Sequence, residues 1–161
     1  MLFLRKIVLV IITVFSFSGS TIPADNFNFV YAVGGCRKLD TSTGIYTNGK
    51  RSFKLKLKAN QLDEIRRKVR EINFFEYPDR FDPLLDKYGV LLESSVSFEM
   101  SLKIIDGSKT KEVRWIDTTV ATARDDPASV RLTELSDMIM KAIVNDPAFK
   151  RIPRLELDIC F

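Results

Sequence analysis

Apolar and polar residues alternate most cleanly in SVSFEMSLKI, residues 95–104. Val96, Phe98, Met100, Leu102 and Ile104 share one face, and Ser95, Ser97, Glu99, Ser101 and Lys103 share the other. A period of two predicts a half-buried strand. Asp106-Gly107 is a hairpin signal, and Lys109 to Ile116 returns with Val113 and Trp115 inward and Glu112 and Arg114 outward. A second strand pair is expected upstream. Ile45-Tyr46-Thr47 leads into Asn48-Gly49, and SFKLKLK follows at 52–58, with Phe53, Leu55 and Leu57 set against Lys54, Lys56 and Lys58.

Two stretches change period. Leu62, Ile65, Val69 and Ile72 recur at helical spacing, with Asn60 as expected N-cap and a stop before Pro78. Leu132, Leu135, Ile139, Ala142 and Ile143 form a second stripe, opened by Asp126 as N-cap and Pro127 as first helical residue. Between them NFFEYPD, residues 73–79, holds three aromatics and reads as a helix end plugged into the core. There Phe75 continues the stripe, and Phe74 and Tyr77 cover the helix end. Residues 79–93 read as a loop packed on the domain, and residues 21–43 as irregular. The expected fold is α+β: an antiparallel sheet of about four strands with two helices on one face, in the order ββαββα. The expected organisation is a signal peptide over 1–20, an irregular segment over 21–43 and one domain over 44–161.

The N-terminus stands apart. Arg5 and Lys6 precede the apolar run Ile7–Phe17, and Ser18-Gly19-Ser20 supplies small residues for cleavage. That is the pattern of a secretory signal peptide; the run is short for a membrane span, and Ile22-Pro23-Ala24 and Val30-Tyr31-Ala32 are alternative cleavage sites. Export changes the charge. The full chain has 25 Lys and Arg against 21 Asp and Glu, and loss of Arg5 and Lys6 leaves a net charge of +2, too balanced to point to nucleic acid. Export also places Cys36 and Cys160 where disulfides persist, and a bridge closing so long a loop is worth about 4–5 kcal/mol in the chain-entropy model. The alternative is a lipid on Cys36, since Val33-Gly34-Gly35-Cys36 resembles a lipobox; it would leave Cys160 unpaired.

Several chemistries drop out. The chain has no histidine, which removes the commonest general base and transition-metal ligand. The cysteines lack metal-ligand spacing, and the seven glycines form no phosphate loop. No metal and no cofactor is expected. Asp117, Asp125 and Asp126 are the only acids grouped well enough for carboxylate or cation chemistry. The basic run from Arg51 to Arg70 divides by periodicity, with the strand lysines on the outer sheet face, able to pair with Glu99 or Glu112, and Arg66, Arg67 and Arg70 on the helix layer.

Three motifs together resemble an exported or lipoprotein-like bacterial family of unknown function. They are Phe74-Phe75-Glu76-Tyr77-Pro78, the strand-turn-strand from Phe98 through Asp106-Gly107 to Val113-Arg114-Trp115-Ile116-Asp117, and Leu132 to Leu135. The resemblance spans roughly residues 45–155 and implies secretion and an α+β domain, with no catalytic residues to carry over. The expected function is a non-enzymatic binding domain, periplasmic or extracellular, contacting an envelope protein or an anionic envelope polymer. Lys54, Lys56, Lys58 and Arg114 are the candidate contacts. Two alternatives stand beside it: a small carboxylate-based or metal-dependent hydrolase using Asp117 and Asp125, and an inhibitor-like or structural module acting through residues 79–93.

Overall fold

The computed structural model describes residues 26–84 and 97–152. The first strand, β1 (Phe27–Val33), lies at the centre of a sheet rather than in an irregular lead-in. It pairs antiparallel with β2 (Arg37–Asp40) on one side and with β6 (Glu99–Asp106) on the other. Beyond β2 come β3 (Ile45–Asn48) and β4 (Arg51–Lys54). Beyond β6 come β7 (Lys109–Ile116) and the two-residue β5 (Arg80–Phe81), which runs parallel to β7. The sheet therefore has seven strands in the order β4-β3-β2-β1-β6-β7-β5 and is mixed. Four helices accompany it among the described residues: α1 (Ala59–Glu71), α2 (Asp117–Thr122), α3 (Pro127–Val144) and α4 (Pro147–Lys150).

The class expected from the sequence, α+β, holds. The four-strand antiparallel sheet with two helices does not. Three strands were missed, each for a reason. In FNFVYAV the inward residues Phe27, Phe29 and Tyr31 are buried while Asn28, Val30 and Ala32 face out, but two apolar outward residues blur the alternation. In β2 only Leu39 is buried, so no pattern exists to read. β5 is too short to carry a period and exists only through β7. The Gly34-Gly35 turn joining β1 to β2 has φ of 60° and 71° at the two glycines, the left-handed conformation a tight hairpin needs. Strand ends also move. The strand expected over 52–58 ends at Lys54, although Leu55 and Leu57 stay buried, and that expected over 95–104 runs from Glu99 to Asp106.

The inward face of the sheet packs on the helices. Phe29, Tyr31, Leu39, Leu102, Ile104 and Val113 meet Ile65 and Val69 of α1 and Leu132, Leu135 and Ile139 of α3 in one core. Each of these large side chains contributes up to about 1.5–3 kcal/mol by leaving water. Tyr31 adds a polar tie: its hydroxyl lies 2.7 Å from Ser136 Oγ on α3. Burial pushes its pKa up to about 12, against the lowering effect of that hydrogen bond.

α1 starts two residues earlier than Asn60 as N-cap would allow. Lys58 is the capping position, and the Gln61 side chain reaches back to accept the Lys58 N–H at 2.9 Å. α1 ends at Glu71, and just past it Asn73 has a left-handed φ of 53°. That break rotates the next residues, so Phe74, not Phe75, takes the fully buried position, while Phe75 is half-buried. Phe74 stacks on Tyr77 at 6.0 Å, Tyr77 meets Phe81 edge-on at 5.3 Å, and the Tyr77 hydroxyl donates to Ala128 O. The aromatic cluster plugs the core, as the sequence indicated.

Candidate functional site

The buried core shared by helices and sheet lies on the Phe29–Tyr31 side. The other face carries Asn28, Val30 and Ala32 of β1, Glu99, Ser101 and Lys103 of β6, and Thr110, Glu112 and Arg114 of β7; none of them is buried. Among the described residues this is the wetter side of the sheet.

At the β7–β5 edge this face becomes a charged depression of about 500 Å³, lined by Arg80, Arg114, Glu99, Glu112, Lys111 and Asp79. Its construction follows from the parallel pair. Arg80 stands directly opposite Arg114 in register, and both are exposed. Like charges opposite one another disfavour the pairing. Arg114 is partly balanced: its Nε donates to Glu112 Oε1 at 2.9 Å, which raises its pKa further. Lys111 Nζ donates to Asp79 Oδ1 at 2.5 Å, holding that exposed carboxyl below its usual range. No carboxylate pairs with Arg80 among the described residues. The arrangement presents two neighbouring guanidiniums, one uncompensated, on an open surface, suited to a carboxylate or phosphate.

The four residues selected from sequence are not brought together. Arg114 belongs to this depression. Lys54 lies on β4 at the opposite edge, with β3, β2, β1 and β6 between it and β7. Lys56 and Lys58 follow it as exposed residues. Lys54 faces Ile45 of β3 at the far edge of the sheet, so pairing with Glu99 or Glu112 is out of reach; Lys103 occupies the position opposite Glu112. The helix-layer arginines are not all solvated either. Arg66 and Arg70 both clasp Asp106 at the end of β6, and Lys68 bridges Glu71 and Glu134.

The acids have structural duties. Asp126 caps α3, accepting from Ser129 N and Ser129 Oγ at 2.7 Å each. Asp117 Oδ1 accepts the Phe98 N–H at 2.9 Å and so holds the start of β6. No group of three acids is placed to hold a metal ion among the described residues. Cys36 sits in the β1–β2 turn, donating its N–H to Gly34 O, and Cys160 lies outside the described residues. So do the signal segment, with residues 1–25, and most of the loop read over 79–93, whose first part is β5 and the buried Asp82 and Leu84. No helix among the described residues is long and apolar enough to cross a membrane.

Arg80 was missed because it lies in a stretch without periodicity. Only the register with β7 puts it beside Arg114. No family model, curated protein or solved structure matches the chain. The functional reading therefore rests on this geometry.

Proposed function

We propose that the chain is an exported, non-enzymatic binding domain that engages an anionic envelope polymer through the wetter face of its sheet. The adjacent Arg80 and Arg114 carry the reading, because two like charges held side by side gain most from a shared counter-anion. The test is retention on an immobilised polyanion such as heparin, read as the salt needed for elution. Replacing Arg80 and Arg114 with serine is expected to lower that salt clearly. The same two-charge change at Arg67 and Lys141, exposed on the helix layer, is expected to do much less. Equal effects would reduce the attraction to net charge and sink the reading. Retention of an acidic envelope protein in place of the polymer would keep the surface and change the partner.

Export and a Cys36–Cys160 disulfide belong to the same reading. It is supported by what lipidation would remove. Processing at Cys36 discards everything before it, including β1, with Phe29 and Tyr31 in the core and ladders to two neighbours. Cleavage after Ala32 does the same damage. Cleavage at Ser20 or Ala24 leaves the strand whole.

A further inference from the structure

A second recess lies on the helix side of the sheet, where β1, β2 and β3 meet the last turn of α3 and α4. It has a volume of about 290 Å³ and is lined mainly by Tyr31, Val33, Tyr46, Met140, Ile143 and Phe149. Its walls are apolar and set in place by the core: Tyr46 and Phe149 meet edge-on at 5.5 Å, and Ile143 is buried. Val144 remains 38% exposed beside it, a large apolar residue left in water. Into this apolar setting the chain places Arg37, with Lys38 next to it. The Nε of Arg37 is buried and has no hydrogen-bond partner among the described residues. An unmet donor on a permanent cation is expensive inside a protein. Tyr46 feels both features: burial raises its pKa and the positive charge of Arg37 partly offsets this.

An apolar recess holding a cation with one unmet N–H is complementary to a particular kind of molecule. We propose that this recess binds a small organic anion, one carboxylate on a short alkyl chain or single ring, with the apolar part against Tyr46, Met140 and Phe149 and the carboxylate on Arg37. The volume sits at the small end for ligand pockets, which sets the size. The carboxylate would meet the open Nε–H of Arg37. A neutral apolar molecule would fill the same space and leave that N–H unmet. Arg80 and Arg114 lie on the opposite face, so this inference stands apart from the polymer reading.

Calorimetric titration of the oxidised full chain with octanoate, and with octanol as the uncharged match, tests it. Octanoate is expected to bind at least tenfold more tightly than octanol, and Arg37→Gln to erase the difference. The comparison of the two probes on the unaltered chain needs no variant, so a poorly folded Arg37→Gln leaves the test standing. Equal binding of both probes, or no octanoate binding at millimolar concentration, overturns the proposal. One rival occupant is the chain's own continuation past Ile152, where Leu155, Leu157, Ile159 and Phe161 alternate with polar residues. If octanoate binds only after Leu157 and Ile159 are both changed to serine, the recess belongs to that segment and the proposal fails.

Discussion

Replacing Asp106 with alanine probes a polar contact that ties β6 to α1. Asp106 ends β6, and its carboxylate is shared by two arginines of α1. Arg66 Nη2 donates to Oδ1 at 2.5 Å, and Arg70 donates to Oδ2 through Nε at 3.2 Å and Nη2 at 3.0 Å. The side chains of Asp106 and Arg66 are only 10% and 11% exposed, whereas Arg70 is 53% exposed. The alanine variant leaves Arg66 as a nearly buried cation whose Nε already lacks a partner among the described residues. Removing one member of a buried pair costs about 3–5 kcal/mol, and the exposed Arg70 contact adds at most about 1 kcal/mol. Some water reaches Arg66, so the expected loss is near the low end, about 3 kcal/mol. Against a typical stability of about 5–15 kcal/mol this is a large fraction. Urea unfolding with linear extrapolation reads it directly. The pH dependence separates charge from packing. Burial alone would raise the Asp106 pKa, but the hydrogen bonds and charges of Arg66 and Arg70 outweigh it and hold the value below 3.8. A depressed folded pKa stabilises fully above the unfolded value and loses that stabilisation as pH falls through the folded one. The gap between wild type and Asp106→Ala should therefore narrow below about pH 4. A loss under about 1 kcal/mol at pH 7, or a gap unchanged down to pH 3, would refute the buried-pair reasoning.

Asp126→Ala should cost about 0.5–2 kcal/mol in urea unfolding, with Asp126→Asn retaining most of it, because Asp126 caps α3 through Ser129. Tyr31→Phe should cost about 1 kcal/mol by stranding the Ser136 hydroxyl, and absorbance titration should show the loss of a tyrosine that ionises near pH 12. Phe74→Ala should cost about 3–5 kcal/mol, and Phe75→Ala clearly less, since only Phe74 is fully buried. A chain beginning at Cys36 should show no cooperative melt by circular dichroism, whereas one beginning at Asp25 should, because only the latter contains β1.

Elements that carry their own periodicity were legible in the sequence. The stripe of α3 and its Asp126-Pro127 start, the alternation of β6 and the return of β7 all lie close to where the pattern puts them. Elements defined by their neighbours were not. β2 has one buried residue and β5 has two residues in all; each is a strand because a partner offers a ladder. The site divides in the same way. Arg114 was visible as the outward residue of a clear strand, but Arg80 depends on a parallel register that no local rule supplies. Lys54, Lys56 and Lys58 were equally conspicuous, and the topology sends them to the far edge. Asp106 illustrates a masked signal: beside Gly107 it reads as a turn residue, and only the fold reveals Arg66 and Arg70 above it.

The central place of β1 also sets the order in which the domain can fold. One half of the sheet, β1 to β4, is a meander of neighbours in sequence, while β1 joins the other half only by pairing residues 27–33 with 100–106. Such a distant closure pays its chain entropy before any contact rewards it and is slow. A chain emerging N-terminus first therefore exposes one unpaired edge of β1 until β6 has been made. Refolding should be rate-limited at this seam, with substitutions at Tyr31 or Leu102 slowing it more than equally buried ones in β3.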